Sequence, residues 1–423
     1  MTEKLLHFIW SFGYFNQSHL TTIDGQAVHI ITKGVLNKNA GPDFQAAKIR
    51  IGDVLLAGSV ELHLKTTDWQ KHKHEDDPNY KNVILHVVYE HDQTLAHSIP
   101  VLELQPLISS LLLQRYEQLL YNSEAIACGK EIVSVKELTW LAWKERLIAE
   151  RLTCKSDSIF SFLKETNDHW EEAFWWLLAR NFGMKVNADA FEAIARSIPI
   201  NVLAKQKSSI HQIEALLFGQ AGLLTASFEE EYARLLQREY SFLKQKYNLK
   251  PTFAAIQFLR MRPGNFPTLR LAQLAMLIHT SQHLFSKILE AKRLVEVEAW
   301  LNVTANDYWH YHYRFDEEGS FKPKRLGAEM LKNIIINTVV PTLFAYGIYQ
   351  KNETLKAKAL HWLEELKPEN NAITQSFQQL QVANASAFDS QALIQLRNEY
   401  CHQKRCLECA VGLAILKRAP VLI

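Results

Sequence analysis

The sequence predicts an α+β protein, with a sheet-bearing N-terminal domain over residues 1–125 and a large all-α domain over residues 126–423. Two observations lead there. Between Gln26 and Glu90 apolar residues alternate with polar ones or form short closed runs, the pattern of strands, whereas from Ser134 onward they recur at helical spacing. A third observation gives the sheet domain a focus. Nine of the 17 histidines fall in the first 100 residues, and His63, His72, His74 and His86 lie within 24 positions of one another.

Taken in order, Glu3 to Tyr14 reads as an amphipathic helix and Gln26 to Lys33 as a strand. Pro42-Asp43 precedes the next run, Ala46 to Ile51, which Gly52-Asp53 separates from Val54 to Thr66. A two-residue Gly-X connection suits a tight hairpin, so these runs should pair as antiparallel neighbours. Along the second of them Val60, Leu62 and Leu64 share one face, and Glu61, His63 and Lys65 share the other. Thr66-Thr67-Asp68-Trp69 has the form of a helix start, Pro78 that of a stop, and Asn82 to Glu90 that of a buried strand.

The helical domain is read the same way. Asp168 and Glu171 have capping-box spacing ahead of a helix that Gly183 stops, and Asn187 is placed as the cap of the next. Further helices are expected at Ser209 to Phe218, Phe228 to Tyr247, Thr268 to His279, Lys324 to Tyr349, Thr354 to Leu366 and Asp389 to Tyr400, with no fixed repeat period. The stripe Trp170, Phe174, Trp175, Trp176 reads as packing rather than a platform for stacked bases.

Chemistry concentrates in the sheet domain. Asp43 at a loop end and Glu61 on a neighbouring strand can supply the carboxylate oxygens that Mg or Mn prefers, and a cation between water and phosphate is what phosphodiester hydrolysis needs. His63 can act as a base near neutral pH, and Lys65 shares its face. The plainer alternative is a solvated strand face. His72-Lys73-His74-Glu75-Asp76-Asp77 comes one residue short of the His-x-His-x-Asp-His signature of metallo-β-lactamase type hydrolases, because Asp77 stands where the last His belongs. A zinc-dependent hydrolase using this cluster is therefore an alternative. His86, inside an apolar run, reads as a hydrogen-bonded core residue.

The order helix, strand, Asp43, strand, strand bearing Glu61-x-His63, helix, strand resembles the PD-(D/E)xK nuclease superfamily, the restriction-endonuclease-like fold, over about the first quarter of the chain. The resemblance implies Asp43 and Glu61 as ligands of Mg or Mn, a contribution from the Leu62 carbonyl, and cleavage of DNA or RNA. The family's Lys position holds His63, with Lys65 two residues late. An inactive copy that binds nucleic acid, or serves as a scaffold, would show the same departure. The whole chain is also similar to an uncharacterised bacterial domain-of-unknown-function family, which implies no activity.

Charge is nearly balanced, at +2 overall, and residues 1–100 carry nine Lys and Arg against eleven Asp and Glu. A phosphate-binding surface must then come from elsewhere or from metal. Two loops are candidates for contacting DNA or RNA: Arg260, Arg262 and Arg270 around a Pro-Gly turn, and Lys324-Arg325 after Pro323. Solvated or ion-paired loops are the alternative.

Cys401, Cys406 and Cys409 crowd three of the five cysteines into nine positions, which in a cytoplasmic protein argues for metal over disulfides. Cys128 is placed first to complete a set of four, His402 second and Cys154 third. The pattern is similar to the iron–sulfur staple of some helicase-linked and CRISPR-adaptation nucleases, although there the first cysteine precedes the nuclease motifs. Zn and a [4Fe–4S] cluster both accept four thiolates; a single tetrahedral ion would hold the sulfurs within about 4 Å of one another. Cysteines packed without metal are the alternative. Finally, Lys4 and the apolar residues after it read as a core helix rather than a secretory leader. Asn333 to Tyr349, interrupted by Asn337, Thr338 and Pro341, reads as too short and broken for a membrane span. A cytoplasmic location without membrane contact is the expectation.

Overall fold

The computed structural model describes residues 1–417, apart from 38, 75, 76, 95–98, 251, 253, 254, 259–261 and 282. The chain divides into two compact units: Met1–Trp143 with Leu380–Val382 and Leu396–Ile423, and Lys144–Gln379 with Ala383–Gln395. The class is the expected α+β, an N-terminal sheet followed by a helical region. The chain does not divide at 125/126, however. The terminal segment belongs with the sheet, since Leu416 is part of the sheet unit's core and Leu407 and Leu413 pack against it.

The sheet unit opens with helix α1 (Glu3–Phe12), whose start is capped by Thr2 Oγ1 accepting from the Leu5 N–H and whose end is Gly13 at φ 68°. Its apolar stripe, Leu5, Leu6, Phe8, Ile9 and Trp10, is buried in one core with the sheet residues Phe44, Ile49, Val60, Leu62, Leu85 and Val87. Strands β1 (Val28–Thr32), β2 (Val35–Leu36), β3 (Phe44–Ile51), β4 (Val54–Lys65), β5 (Val83–Glu90) and β6 (Val101–Glu103) form one sheet in the order β1-β3-β4-β5-β6, with β2 also paired to β3. β1, β3 and β4 run antiparallel. β5 and β6 join in parallel, with Glu61 opposite His86 in register.

The β3–β4 hairpin turns at Gly52, whose φ of +56° glycine adopts without a Cβ penalty. A register shift between Phe44 and Ala47, with Ala46 at φ 59°, bends β3 immediately after Asp43. Between β4 and β5 the chain makes helix α2 (Asp68–Lys71), which buries Trp69. It ends earlier than Pro78, because Lys73 at φ 58° turns the chain left-handed, and Pro78 instead starts a 3-10 turn.

The second unit is helical among the described residues. In the helix Trp170–Phe182 the residues Phe174, Trp175 and Trp176 are buried, and Trp175 Nε1 donates to the Ala195 carbonyl at 3.2 Å, as packing requires. His169 caps this helix in place of Asp168, which sits at φ 63° with its chain still turning. Asn187 lies at a kink inside Met184–Ser197 rather than ahead of a helix, and its amide clasps the Gln257 backbone in both directions, at 2.8 and 2.9 Å. Ala328–Tyr349 runs continuously for 22 residues through a π-helical turn at Ile335–Val339, starting four residues later than the helix expected from Lys324. It is long and apolar enough to cross a membrane, and 67% of its most apolar stretch is buried in the fold.

Candidate metal centre

β3 and β4 bring Asp43 and Glu61 against one another. The Asp43 N–H donates to Glu61 Oε2 at 3.0 Å, and the Leu62 N–H donates to Asp43 Oδ2 at 3.0 Å. Each carboxylate is thus held by the backbone of the other's neighbourhood, which aligns the two strand ends as well as the two acids. From α1, His7 Nε2 lies 3.1 Å from Asp43 Oδ2. No motif in the sequence marks His7 as a site residue. A His on an otherwise apolar helix carries little signal until the helix is docked.

The second oxygen of Glu61 faces imidazoles. Oε1 stands 3.6 Å from His63 Nε2 and 3.4 Å from His74 Nε2, and His63 Nε2 lies 3.1 Å from His72 Nδ1. Ligand atoms of His63, His72 and His74 all lie within 4.8 Å of one another. Two local features produce this convergence. Alternation along β4 puts His63 on the face of Glu61, and the left-handed turn at Lys73 sends His72 and His74 back toward that face. Behind them, His86 Nε2 and His63 Nδ1 are 2.9 Å apart, Trp69 meets His63 edge-on, and the Tyr80 ring stacks on His74 with centroids 3.8 Å apart.

Burial governs the electrostatics. Glu61 and His63 are 5% and 1% exposed. Removal from water, with the Asp43 charge adding to it, pushes the Glu61 carboxyl up to about 8. Burial, then the surrounding imidazoles led by His86, holds His63 down to about 3, and burial with His72 lowers His74 as well. His63 and His74 are therefore neutral at pH 7, the form in which imidazole ligates metal. The His74 Nε2 atom is buried and makes no hydrogen bond, although it faces a carboxylate. An orphaned nitrogen, neutral imidazoles and an unionised acid around one point form a donor set that a divalent cation would satisfy. Three nitrogens and one carboxylate oxygen suit Mn, Fe or Zn better than Mg, which prefers oxygen.

The other expected site residues are placed differently. Lys65 lies toward solvent at the end of β4, 3.8 Å from Glu90 and 48% exposed, so alternation alone did not bring it to the centre. Arg270 is 7% exposed and donates to Gln273 and Asn265 at 2.9 and 2.6 Å, and Lys324 is 5% exposed with its ammonium 3.7 Å from the Tyr313 ring centroid. Both are committed to packing and are corrected from phosphate contacts to buried structural cations. Arg262 and Arg325 are exposed, and Arg260 lies outside the described residues, as do Glu75 and Asp76 of the histidine motif. Cys128, Cys401, Cys406 and Cys409 all belong to the sheet unit.

Fold and site together define an α+β protein whose mixed sheet gathers histidines and two carboxylates. The chain belongs to the family described as protein of unknown function (DUF2851), whose model matches residues 3–372. No curated protein and no solved structure matches it.

Proposed function

We propose that the sheet unit is a metal-dependent phosphodiesterase of nuclease type, acting on DNA or RNA, with a transition-metal ion held by His63, His72, His74 and Glu61. The observation that supports this reading best is the three imidazoles within 4.8 Å of one another beside Glu61, with Asp43 joined to Glu61 through the backbone. The helix, the three antiparallel strands and the parallel strand after them follow the order that the PD-(D/E)xK resemblance implies. The metal departs from the Mg of that reading, since the donor set is rich in nitrogen.

Bound there, the ion would supply a Lewis acid and a water of lowered pKa. The chain's own residues set its surroundings. His86, facing His63 Nδ1, positions that ring, and the Nε2 turned toward His72 and Glu61 is the atom that would meet the ion. Asp43, with a side chain 23% exposed, is the acid from which incoming water can be oriented. Mn²⁺- or Zn²⁺-dependent degradation of single-stranded and duplex nucleic acid tests the reading. Glu61→Ala and His74→Ala should each lower activity by about a hundredfold or more, because each removes a ligand. Equal activity in wild type and both variants would refute it.

The position of Lys65 favours a second reading, a binding or scaffold protein that keeps the ion without turnover. Stoichiometric metal in the absence of hydrolysis would select that reading.

A further inference from the structure

The histidine centre uses none of the five cysteines, and four of them lie on two distant stretches of the sheet unit. Cys401, Cys406 and Cys409 lie between a π-helical turn, Leu396–Cys401, and the terminal helix Ala410–Leu416. Cys128 lies in the segment after helix α3 (Ser110–Tyr121). The stretches are tied by Lys404 Nζ, which donates to the Asn122 carbonyl, and Cys128 and Cys406 pack against the same core.

Each stretch is locally rigid. The Glu131 N–H donates to the Cys128 carbonyl at 3.0 Å, the Arg405 N–H to the Tyr400 carbonyl at 2.9 Å and the Cys409 N–H to the Cys406 carbonyl at 3.4 Å. Gly412 lies so close to the Cys406 turn that a Cβ there would sit 2.3 Å from the Cys406 carbonyl oxygen, so the terminal helix can approach only because this residue is glycine. The Val411 and Gly412 N–H groups point at the Cys409 sulfur, as donors that favour a thiolate do.

All four thiols are free. The Cys128 thiol is acted on by Cys409 and Cys406, and that of Cys401 by Cys409, Cys128 and Cys406, so the four form one neighbourhood. Buried thiols gathered without a disulfide are a donor set for a soft metal. Spacing discriminates among metals. Among the described residues the histidines gather within 4.8 Å, and no three of these sulfurs do. One zinc ion, with bonds of about 2.3 Å, would draw four sulfurs to about 3.8 Å, whereas a four-iron cube places each thiolate on its own iron, farther apart.

We propose that Cys128, Cys401, Cys406 and Cys409 ligate one iron–sulfur cluster of the four-iron type, which staples the C-terminal segment onto the sheet unit. The terminal cysteines lie beyond the stretch matched by the family model, and the inference does not depend on the phosphodiesterase reading.

The test uses full-length protein purified anaerobically, with iron, acid-labile sulfide and zinc measured per chain. Expected are a brown colour and about four irons and four sulfides per chain, the content of one such cluster. Both should be lost in Cys128→Ser and Cys406→Ser, and kept in Cys154→Ser and in the double variant His72→Ala/His74→Ala. Because a cysteine variant can fail to fold, a second measurement uses wild type alone. Stripping the iron with chelator and oxidant should lower the unfolding temperature, and reconstitution with ferrous iron, sulfide and thiol reductant should restore it. Zinc bound one per chain through the same cysteines overturns the cluster. Absence of any cysteine-dependent metal after reconstitution overturns the site.

Discussion

Metal binding to the histidine centre should release one proton, and Glu61 should be its source. In the metal-free protein burial and Asp43 hold the Glu61 carboxyl at about 8, while His63 and His74 are already neutral at pH 7. A divalent ion must displace the Glu61 proton, so well below pH 8 each pH unit should tighten binding about tenfold through this group, levelling off above its pKa. Glu61→Gln abolishes that proton. Between roughly pH 6 and 7 the slope of log Kd against pH should be steeper in wild type than in the variant by about one, a difference that cancels every other titrating group common to both. Titration calorimetry with Mn²⁺ or Zn²⁺, in two buffers of different ionisation enthalpy, counts the proton directly. At pH 8 the variant should also bind at least about tenfold more weakly, having lost a ligand oxygen. Equal slopes, or binding without proton release in wild type, would show that Glu61 is no ligand and that the ion, if any, sits elsewhere.

Two further perturbations address the helical unit. Glu214 is fully buried, accepts from Trp309 Nε1 at 3.0 Å and from the Tyr232 hydroxyl, and is pushed up to about 7 by burial. Its folded pKa lies above the unfolded value, so its contribution to stability is complete below about pH 4.5 and declines as pH rises to about 7. The loss across that window is about 3 kcal/mol. Chemical denaturation of wild type and Glu214→Gln at several pH values should show that decline in wild type only, and parallel curves would contradict it. Arg270→Ala should destabilise the unit by about 2–3 kcal/mol, because Asn265 and Gln273 lose a buried partner. The salt dependence of any nucleic-acid binding should stay unchanged, and a flatter dependence would restore Arg270 as a phosphate contact.

The sequence by itself determined the elements with strong periodicity. Alternation along Val54–Lys65 placed Glu61 and His63 on one face, and Gly52 specified the hairpin that sets Asp43 beside them. Those are local consequences of backbone geometry, legible within a few residues. Caps were less legible: His169 rather than Asp168 begins its helix, because an imidazole nitrogen can accept the Glu172 N–H at 3.0 Å when the chain ahead is turned left-handed. Only tertiary structure decided which residues meet across the chain. His7 reaches Asp43 because α1 docks on the sheet, and His74 reaches Glu61 because one left-handed residue folds the loop inward. Arg270 and Lys324 left the surface because their helices and loops were covered by neighbours that composition does not name. Cys128 and Cys406 pack against one core because the final helix buries its apolar face on the sheet unit. Hydrophobic burial is non-directional, so sequence shows that an apolar face must be covered and the assembled fold selects the surface that covers it.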